Sequence, residues 1–306
     1  MSTITVASGS AETHTSPRIH LDPADLRDYF DREPFAFTHN LSGLDLFKMD
    51  SLHALCLKIA DARQDYFIQA GAPSPEARFF SIPTVAYKPH EAIENLDRGS
   101  HRLLIKRAEN HDKRFRDLIH DLFRQVVESL GGLGKQKVVR LESGLLISTA
   151  ATITSFHYDP EIAFFSQIEG EKIYHAYSPS VVEETEVERF AICGPVSLAP
   201  LSLEGRDRSR DHVFHLKAGK GFHQPQNAPH WVETGATRSV SYTFVFETDV
   251  TRAKARTRAF NHYLRKLHIE PARVGAKPGM DTFKAGVMRA MIPLRSQAAI
   301  IARKLR

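Results

Sequence analysis

Two cysteines are all the chain contains, Cys56 and Cys193, far apart and outside any Cys-x-x-Cys spacing. That scarcity excludes a disulfide framework and a thiolate zinc site, and it fits a reducing, cytoplasmic setting. Long apolar runs are missing too. No stretch approaches the roughly 18 uncharged apolar residues of a membrane span, and MSTITVASGSAETHTSPR at the N-terminus shows no basic segment followed by an apolar core. Neither a signal peptide nor a membrane span is expected. Internal repeats and long low-complexity tracts are also lacking. Net charge is small, +5 from 41 Lys+Arg and 36 Asp+Glu, but unevenly spread. Residues 251–306 hold 14 Lys/Arg and 2 Asp/Glu, a net of +12, which leaves the first 250 residues at −7. Basicity is a property of the tail.

What is present suffices for one sizeable core with helical extensions, or two modest domains: 306 residues, 42% hydrophobic. The Ser/Thr-rich segment 1–17 is expected to be mobile. The first half reads as helical with strand interruptions. In DSLHALCLKIADARQDYFIQAG, Leu52, Leu55, Cys56, Ile59 and Phe67 fall near helical spacing, with Asp50 or Ser51 as cap and Gly71 as stop. HDKRFRDLIHDLFRQVVESLGG predicts an amphipathic helix ending at Gly131. From residue 137 short β-like runs follow, separated by Gly, Pro and Asp: KVVRLE, GLLIST, AFFSQIE, KIYHAYS, HVFHLKAG, KGFHQPQ and RSVSYTFVFE. Many strands without intervening helices suggest a sandwich or barrel. After Thr248 the pattern returns to helix, and Pro293 is expected to bend or break the last one.

The chemistry-bearing stretch is TSFHYDPEIAFFSQIEGEKIYH, residues 154–175. His157 and Asp159 are alternate residues of an expected strand, so imidazole and carboxylate project from one side and can converge on a cation. An Fe(II) site that also admits an oxidant and a co-substrate commonly takes two histidines and one carboxylate from the protein. The best third candidate is His230 in QPQNAPHWVETG. With 16 histidines such spacing also arises by chance: His20 with Asp22 precedes an expected helix, where Asp22 is more simply an N-cap, and His268 with Glu270 lies in the tail. On spacing alone, a structural role for His157 and Asp159 and a solvated Lys172 in a Gly-Glu-Lys turn are the simpler readings.

The ordered set Thr154, His157, Tyr158, Asp159, Phe164, Phe165, Gln167, Ile168, Gly170 and Lys172, followed later by Pro229-His230-Trp231-Val232-Glu233, resembles the JmjC/cupin-like Fe(II)- and 2-oxoglutarate-dependent oxygenases, most closely the asparaginyl-hydroxylase-like branch. The resemblance implies a mainly β fold with helical additions: a double-stranded β-helix (jelly-roll) core at about 137–250 within a catalytic domain at 18–250, and a basic helical extension at 251–306. It implies His157, Asp159 and His230 as metal ligands, and Lys172 and Thr154 as partners of the distal carboxylate of 2-oxoglutarate. Fe(II), 2-oxoglutarate and O2 are the implied cofactor and co-substrates, with succinate and CO2 formed as an unactivated C–H is hydroxylated. Ala163 and the Phe244–Phe246 stretch stand where that branch places amides near the metal-proximal end of the co-substrate, and they supply none.

His175 and His223 read as packed or surface histidines, Tyr158 and Trp231 as pocket walls or core, and Cys193 has no recognisable base beside it. The tail reads as a solvated helical face or a homodimerisation arm; contact with nucleic acid or an anionic membrane is the sharper alternative. The substrate is open between a protein side chain, an amino acid or peptide and a small metabolite, with specificity expected in loops such as 178–212. Competing classes are a cupin-type metalloenzyme without 2-oxoglutarate, which has no need of Lys172, and a non-catalytic binding module with a basic tail.

Overall fold

In a computed structural model, residues 16–71, 73–77, 82–193 and 211–304 are described, the side chains of 193 and 292–304 excepted. The segment 1–17 expected to be mobile lies outside them save for its last two residues, as does most of the 178–212 stretch beyond residue 193. The strands are β1 (Ile19–His20), β2 (Phe35–His39), β3 (Tyr66–Ala70), β4 (His101–Lys106), β5 (Val138–Ser148), β6 (Ile153–Tyr158), β7 (Ile162–Glu169), β8 (Glu171–Tyr177), β9 (Asp211–Lys217), β10 (Lys220–Gln224), β11 (Pro229–Thr234) and β12 (Ser239–Thr248). The helices are α1 (Pro23–Tyr29), α2 (Met49–Ile59), α3 (Pro89–Glu94), α4 (Lys113–Ser129), α5 (Glu184–Cys193), α6 (Asp249–Lys266) and α7 (Pro278–Lys304).

Two antiparallel sheets face each other. The larger runs β1-β2-β10-β7-β12-β5-β4-β3 and the smaller β6-β11-β8-β9. Alternation along β12 explains the layering. Val240, Tyr242, Phe244 and Phe246 point into the main core, while Thr243, Val245 and Glu247 face the cavity between the sheets. On the core side, α4 presents Phe115, Leu118, Ile119, Leu122 and Val126 at three- and four-residue steps, and α2 presents Leu52, Leu55, Cys56 and Ile59. Burying a side chain of this size stabilises by about 1.5–3 kcal/mol, so the helical layer anchors the sheet that carries the cavity's back wall. The α4 helix starts where Asp112 accepts from the Arg114 amide at 2.9 Å and stops before Gly131 at φ 71°.

The mainly β fold with helices agrees with the sequence reading, but several elements differ. The helix expected to run to Gly71 ends at Ile59; Tyr66–Ala70 forms β3 instead, because pairing with β4 buries Tyr66 and Ile68 on the core side and turns Phe67 toward the cavity. Tertiary pairing here outweighs the coincidental helical spacing of Phe67. KVVRLE and GLLIST are one strand, β5, carried through Gly144. Strands β1 to β4 come from the half read mostly as helical and supply four of the eight strands of the larger sheet. Pro293 does not break α7, which is continuous across it; the ring removes one helical bond, and good helix formers flank it on both sides. No helix among the described residues is long and apolar enough to cross a membrane.

Candidate metal centre

His157 and His230 are direct partners across the β6–β11 ladder, so their rings come to 4.2 Å between centroids. Asp159 lies one residue past the end of β6, where its carbonyl accepts from the Asn227 amide at 2.8 Å. The i, i+2 expectation therefore holds in direction, but a tied turn places the carboxylate. One ligand atom from each of His157, Asp159 and His230 lies within 4.8 Å of the others, the only such cluster of His, Cys, Asp or Glu among the described residues.

The two imidazoles are set up as nitrogen donors. His157 Nδ1 bonds the Ser155 carbonyl at 2.7 Å and His230 Nδ1 the Ala228 carbonyl at 3.2 Å. A carbonyl only accepts, so each Nδ1 carries the proton and each Nε2 keeps its lone pair. Burial, then the neighbouring His230, pulls the His157 pKa down to about 3; burial also lowers His230 against the pull of Asp159. With both rings neutral, the 3.9 Å approach of His230 Nε2 to Asp159 Oδ2 is not an ion pair but the spacing of two groups around a common centre. Two neutral nitrogens and one carboxylate fit a divalent iron that must keep coordination positions open. Tyr174 stacks on His230 at 5.5 Å and 22°, fixing the ring.

This cluster opens into a cavity of about 590 Å³ between the sheets. At the inner end Lys172 is only 3% exposed, so it is not the solvated lysine of a turn. Burial, and after it the Arg102 charge, brings its pKa down to about 7. Gly170, at φ 71°, makes the β7–β8 turn that delivers Lys172 inward; a Cβ there would stand 2.2 Å from the Arg238 carbonyl oxygen. The Thr154 hydroxyl accepts from Arg102 Nη1 at 2.5 Å. Of the places where amides were noted as missing, Ala163 and Val245 line the cavity, while Phe244 and Phe246 turn into the core.

The other end was not foreseen. Arg140 donates to Glu142 at 2.8 Å, to Glu247 at 3.1 Å and to Glu161. Burial and then Asp159 push Glu161 up to about 7. Beyond this cluster α5 and α6 close the wall, with Phe190 and Arg258 among the lining residues, and Arg258 bonds Glu184 at 2.9 Å. The first helix of the basic tail is thus part of the cavity. Arg102 was also missed, although alternation in HRLLIK signalled it: Leu103 and Ile105 enter the core, which turns Arg102 the other way.

The remaining candidates fall outside the cluster. His223 bonds the Asp31 amide at 3.0 Å and the Ala163 carbonyl at 3.2 Å. His175 sits between Asp211 and Glu233 and stacks on Trp231 at 3.8 Å. Asp22 caps α1 through the Ala24 amide at 2.7 Å, and Glu270 pairs with Arg265.

Two facing antiparallel sheets with helices around them, and two histidines and an aspartate gathered between them, define a mainly β fold with a candidate metal centre. Solved structures of YcfD from Escherichia coli share that fold. One superposes with TM-score 0.51 at 15% identity, over 91% of this chain and 69% of that one. Another, described as a ribosomal oxygenase, gives 0.51 at 14% over 91% and 68%. A third, in complex with cobalt and 2-oxoglutarate, gives 0.51 at 14% over 90% and 68%. Protein-family models and curated protein sequences give no match.

Proposed function

We propose that the protein is an Fe(II)- and 2-oxoglutarate-dependent oxygenase, its two sheets being the halves of a double-stranded β-helix. The observation that carries this is one cavity holding both a two-histidine, one-carboxylate cluster and a buried lysine. The likeness to YcfD, crystallised with cobalt and 2-oxoglutarate, supports it. When bound, iron, the keto acid and O2 supply the oxidising power, with succinate and CO2 as by-products and hydroxylation of an unactivated C–H as the outcome. His157, Asp159 and His230 would hold the ion, and the fixed tautomers of the two histidines keep their Nε2 donors aimed without reorganisation. Lys172 offers a desolvated ammonium to the distal carboxylate, with the Thr154 hydroxyl beside it. Phe165 and Tyr174, packed at 4.9 Å, help keep water from the inner end. The substrate enters from the end walled by α5 and α6, in a space suited to one protein side chain or a small metabolite.

The test is anaerobic titration with Fe(II) and 2-oxoglutarate, followed by the weak visible band of the iron–keto acid chelate. Wild type develops the band; His157→Ala does not, and Lys172→Ala needs far more 2-oxoglutarate. A wild type that binds iron yet never shows the band sinks the reading.

A further inference from the structure

We infer that Asp31, which does not itself line the cavity, is a positioning residue: it anchors the turn between β10 and β11 and through that turn aims two of the three metal ligands. This rests on the metal-centre part of the oxygenase reading above and extends it to a residue outside the cavity.

The turn, residues 225–228, is closed by the Ala228 amide, which donates to the Pro225 carbonyl at 3.2 Å. It holds both ligands that flank it. The Asn227 amide donates to the Asp159 carbonyl at 2.8 Å, and the Ala228 carbonyl accepts from His230 Nδ1 at 3.2 Å. The Gln226 side chain adds a tie next door, Nε2 donating to the Pro160 carbonyl at 2.8 Å. Asp159 depends on such ties because it stands past the end of β6, where no ladder pairing fixes it. His157 is aimed differently, by the Ser155 carbonyl of its own strand. The turn therefore governs the carboxylate and one imidazole, and leaves the other imidazole alone.

Asp31, between α1 and β2, pins this turn from outside. Its Oδ1 accepts from the Gln226 amide at 2.9 Å. Its own amide donates to His223 Nε2 at 3.0 Å, and His223 Nδ1 donates to the Ala163 carbonyl at 3.2 Å. The His223 ring is fully buried among Phe30, Phe35 and Phe164, so the imidazole that holds Asp31 is itself immobile. Asp31 has φ 52°, a left-handed conformation that costs a residue with a Cβ and persists only where its surroundings impose it. Here two bonds impose it, one on the main chain and one on the side chain. An unbroken path thus runs from His223 through Asp31 and the turn to Asp159 and His230. Groups bonded directly to metal ligands are worth about ten- to a hundredfold in metal affinity. Asp31 acts one step further out, so its share lies at the lower end.

The alternative is an Asp31 that only shapes its own chain reversal. Asp31→Gly separates the two, because glycine takes a positive φ freely and only the carboxylate is lost. Asp31→Asn keeps an acceptor for the Gln226 amide. Mn(II) is titrated into each full-length protein without 2-oxoglutarate, and the visible bands of bound Co(II) report how the ligands are arranged. Asp31→Gly binds Mn(II) about tenfold more weakly and alters the Co(II) bands, while Asp31→Asn stays within about threefold of wild type with its spectrum. A purely local role predicts lower stability in urea with Mn(II) affinity and Co(II) spectrum unchanged. That result overturns the inference, and so does an Asp31→Asn that binds metal no better than Asp31→Gly. Should Asp31→Gly not fold, Gln226→Pro removes the same bond from the donor side, at a turn position that takes proline because Asn227 behind it has φ 62°. Gln226→Ala then serves as the control for the lost side chain, and equal Mn(II) affinities of these two overturn the inference. A wild type that binds neither Mn(II) nor Co(II) overturns the oxygenase reading as well; one that binds both, with variants that match it, overturns this inference alone.

Discussion

Two arginines in the same cavity live in opposite surroundings. Arg140, at the outer end, bonds three carboxylates, Glu142, Glu161 and Glu247, and its pKa is raised above the ordinary arginine value despite burial. Arg102, at the inner end, bonds a hydroxyl and an amide, and burial brings its pKa down to about 10. The outer end balances its charge within the protein. At the inner end Arg102 and Lys172 are buried in the same cavity, and the Arg102 charge adds to burial in lowering Lys172. The two ends thus differ in what meets the arginine rather than in residue type, since both arginines face one space.

The largest effect expected from this contrast is on stability. Arg140→Ala strips three clustered carboxylates of their shared cation. The loss should be on the order of 2–3 kcal/mol, below that of a fully buried pair because about a third of the Arg140 side chain is exposed. Arg102→Gln, by contrast, removes one of two repelling cations and should change the ligand-free stability by less than about 1 kcal/mol. Urea denaturation of both variants checks this. Equal losses would erase the distinction between the two ends.

A smaller and opposite effect is expected at Lys172. Its folded pKa is about 7 against a model-compound value of 10.5. Between those limits the unfolded chain holds a proton that the folded chain has shed, so ligand-free stability rises with pH from 7 toward 10.5, by at most about 1.4 kcal/mol per unit. Below pH 7 both states are protonated and the full cost of burying the charge remains. Lys172→Met should therefore be more stable than wild type at pH 7 by on the order of 1 kcal/mol, with the gap closing as pH rises. Saturating 2-oxoglutarate should flatten the wild-type slope. Denaturation curves for both proteins at pH 7, 8 and 9 that run parallel would show that the ammonium is matched within the protein after all.

The same contrast explains what the sequence disclosed. The histidine pair and the aspartate were legible because their residue types, order and β context restrict what they can do, and the cross-strand pairing of His157 with His230 follows once both are strands. The long α4 helix was legible because five buried apolar residues recur on one face. Alternation gave the direction of Arg102 but its role was not legible, since a lone arginine in a short strand looks the same whether its face meets solvent or a second sheet. Nor was the Arg140 cluster, whose members come from β5, β12 and the turn before β7, residues far apart in the chain. Strands β3 and β4 were hidden because their partners, not their own composition, select the extended form. Alternation fixes which residues share a face; only the other sheet decides what that face meets.

The smallest effect lies on α7, where a third buried cation refines the comparison. Lys284 is 4% exposed and Phe283 beside it is 61% exposed, the reverse of what side-chain character suggests. The Lys284 ammonium donates to Asn261 Oδ1 at 2.7 Å, and close to Asn261 the Glu188 carboxylate pairs with Arg265 at 2.7 Å. This cation touches a neutral amide, as Arg102 does, but it lies between α6 and α7 and not among the residues that line the cavity. Met280, Phe283 and Met291 are left on the outer side of the helix. Phe283→Glu should change stability by less than about 0.5 kcal/mol in urea titration, because the ring buries little against this chain. A loss above about 1 kcal/mol that grows with protein concentration would instead mean that a second copy covers this stripe, since only burial between chains makes an exposed phenylalanine matter to folding in that way.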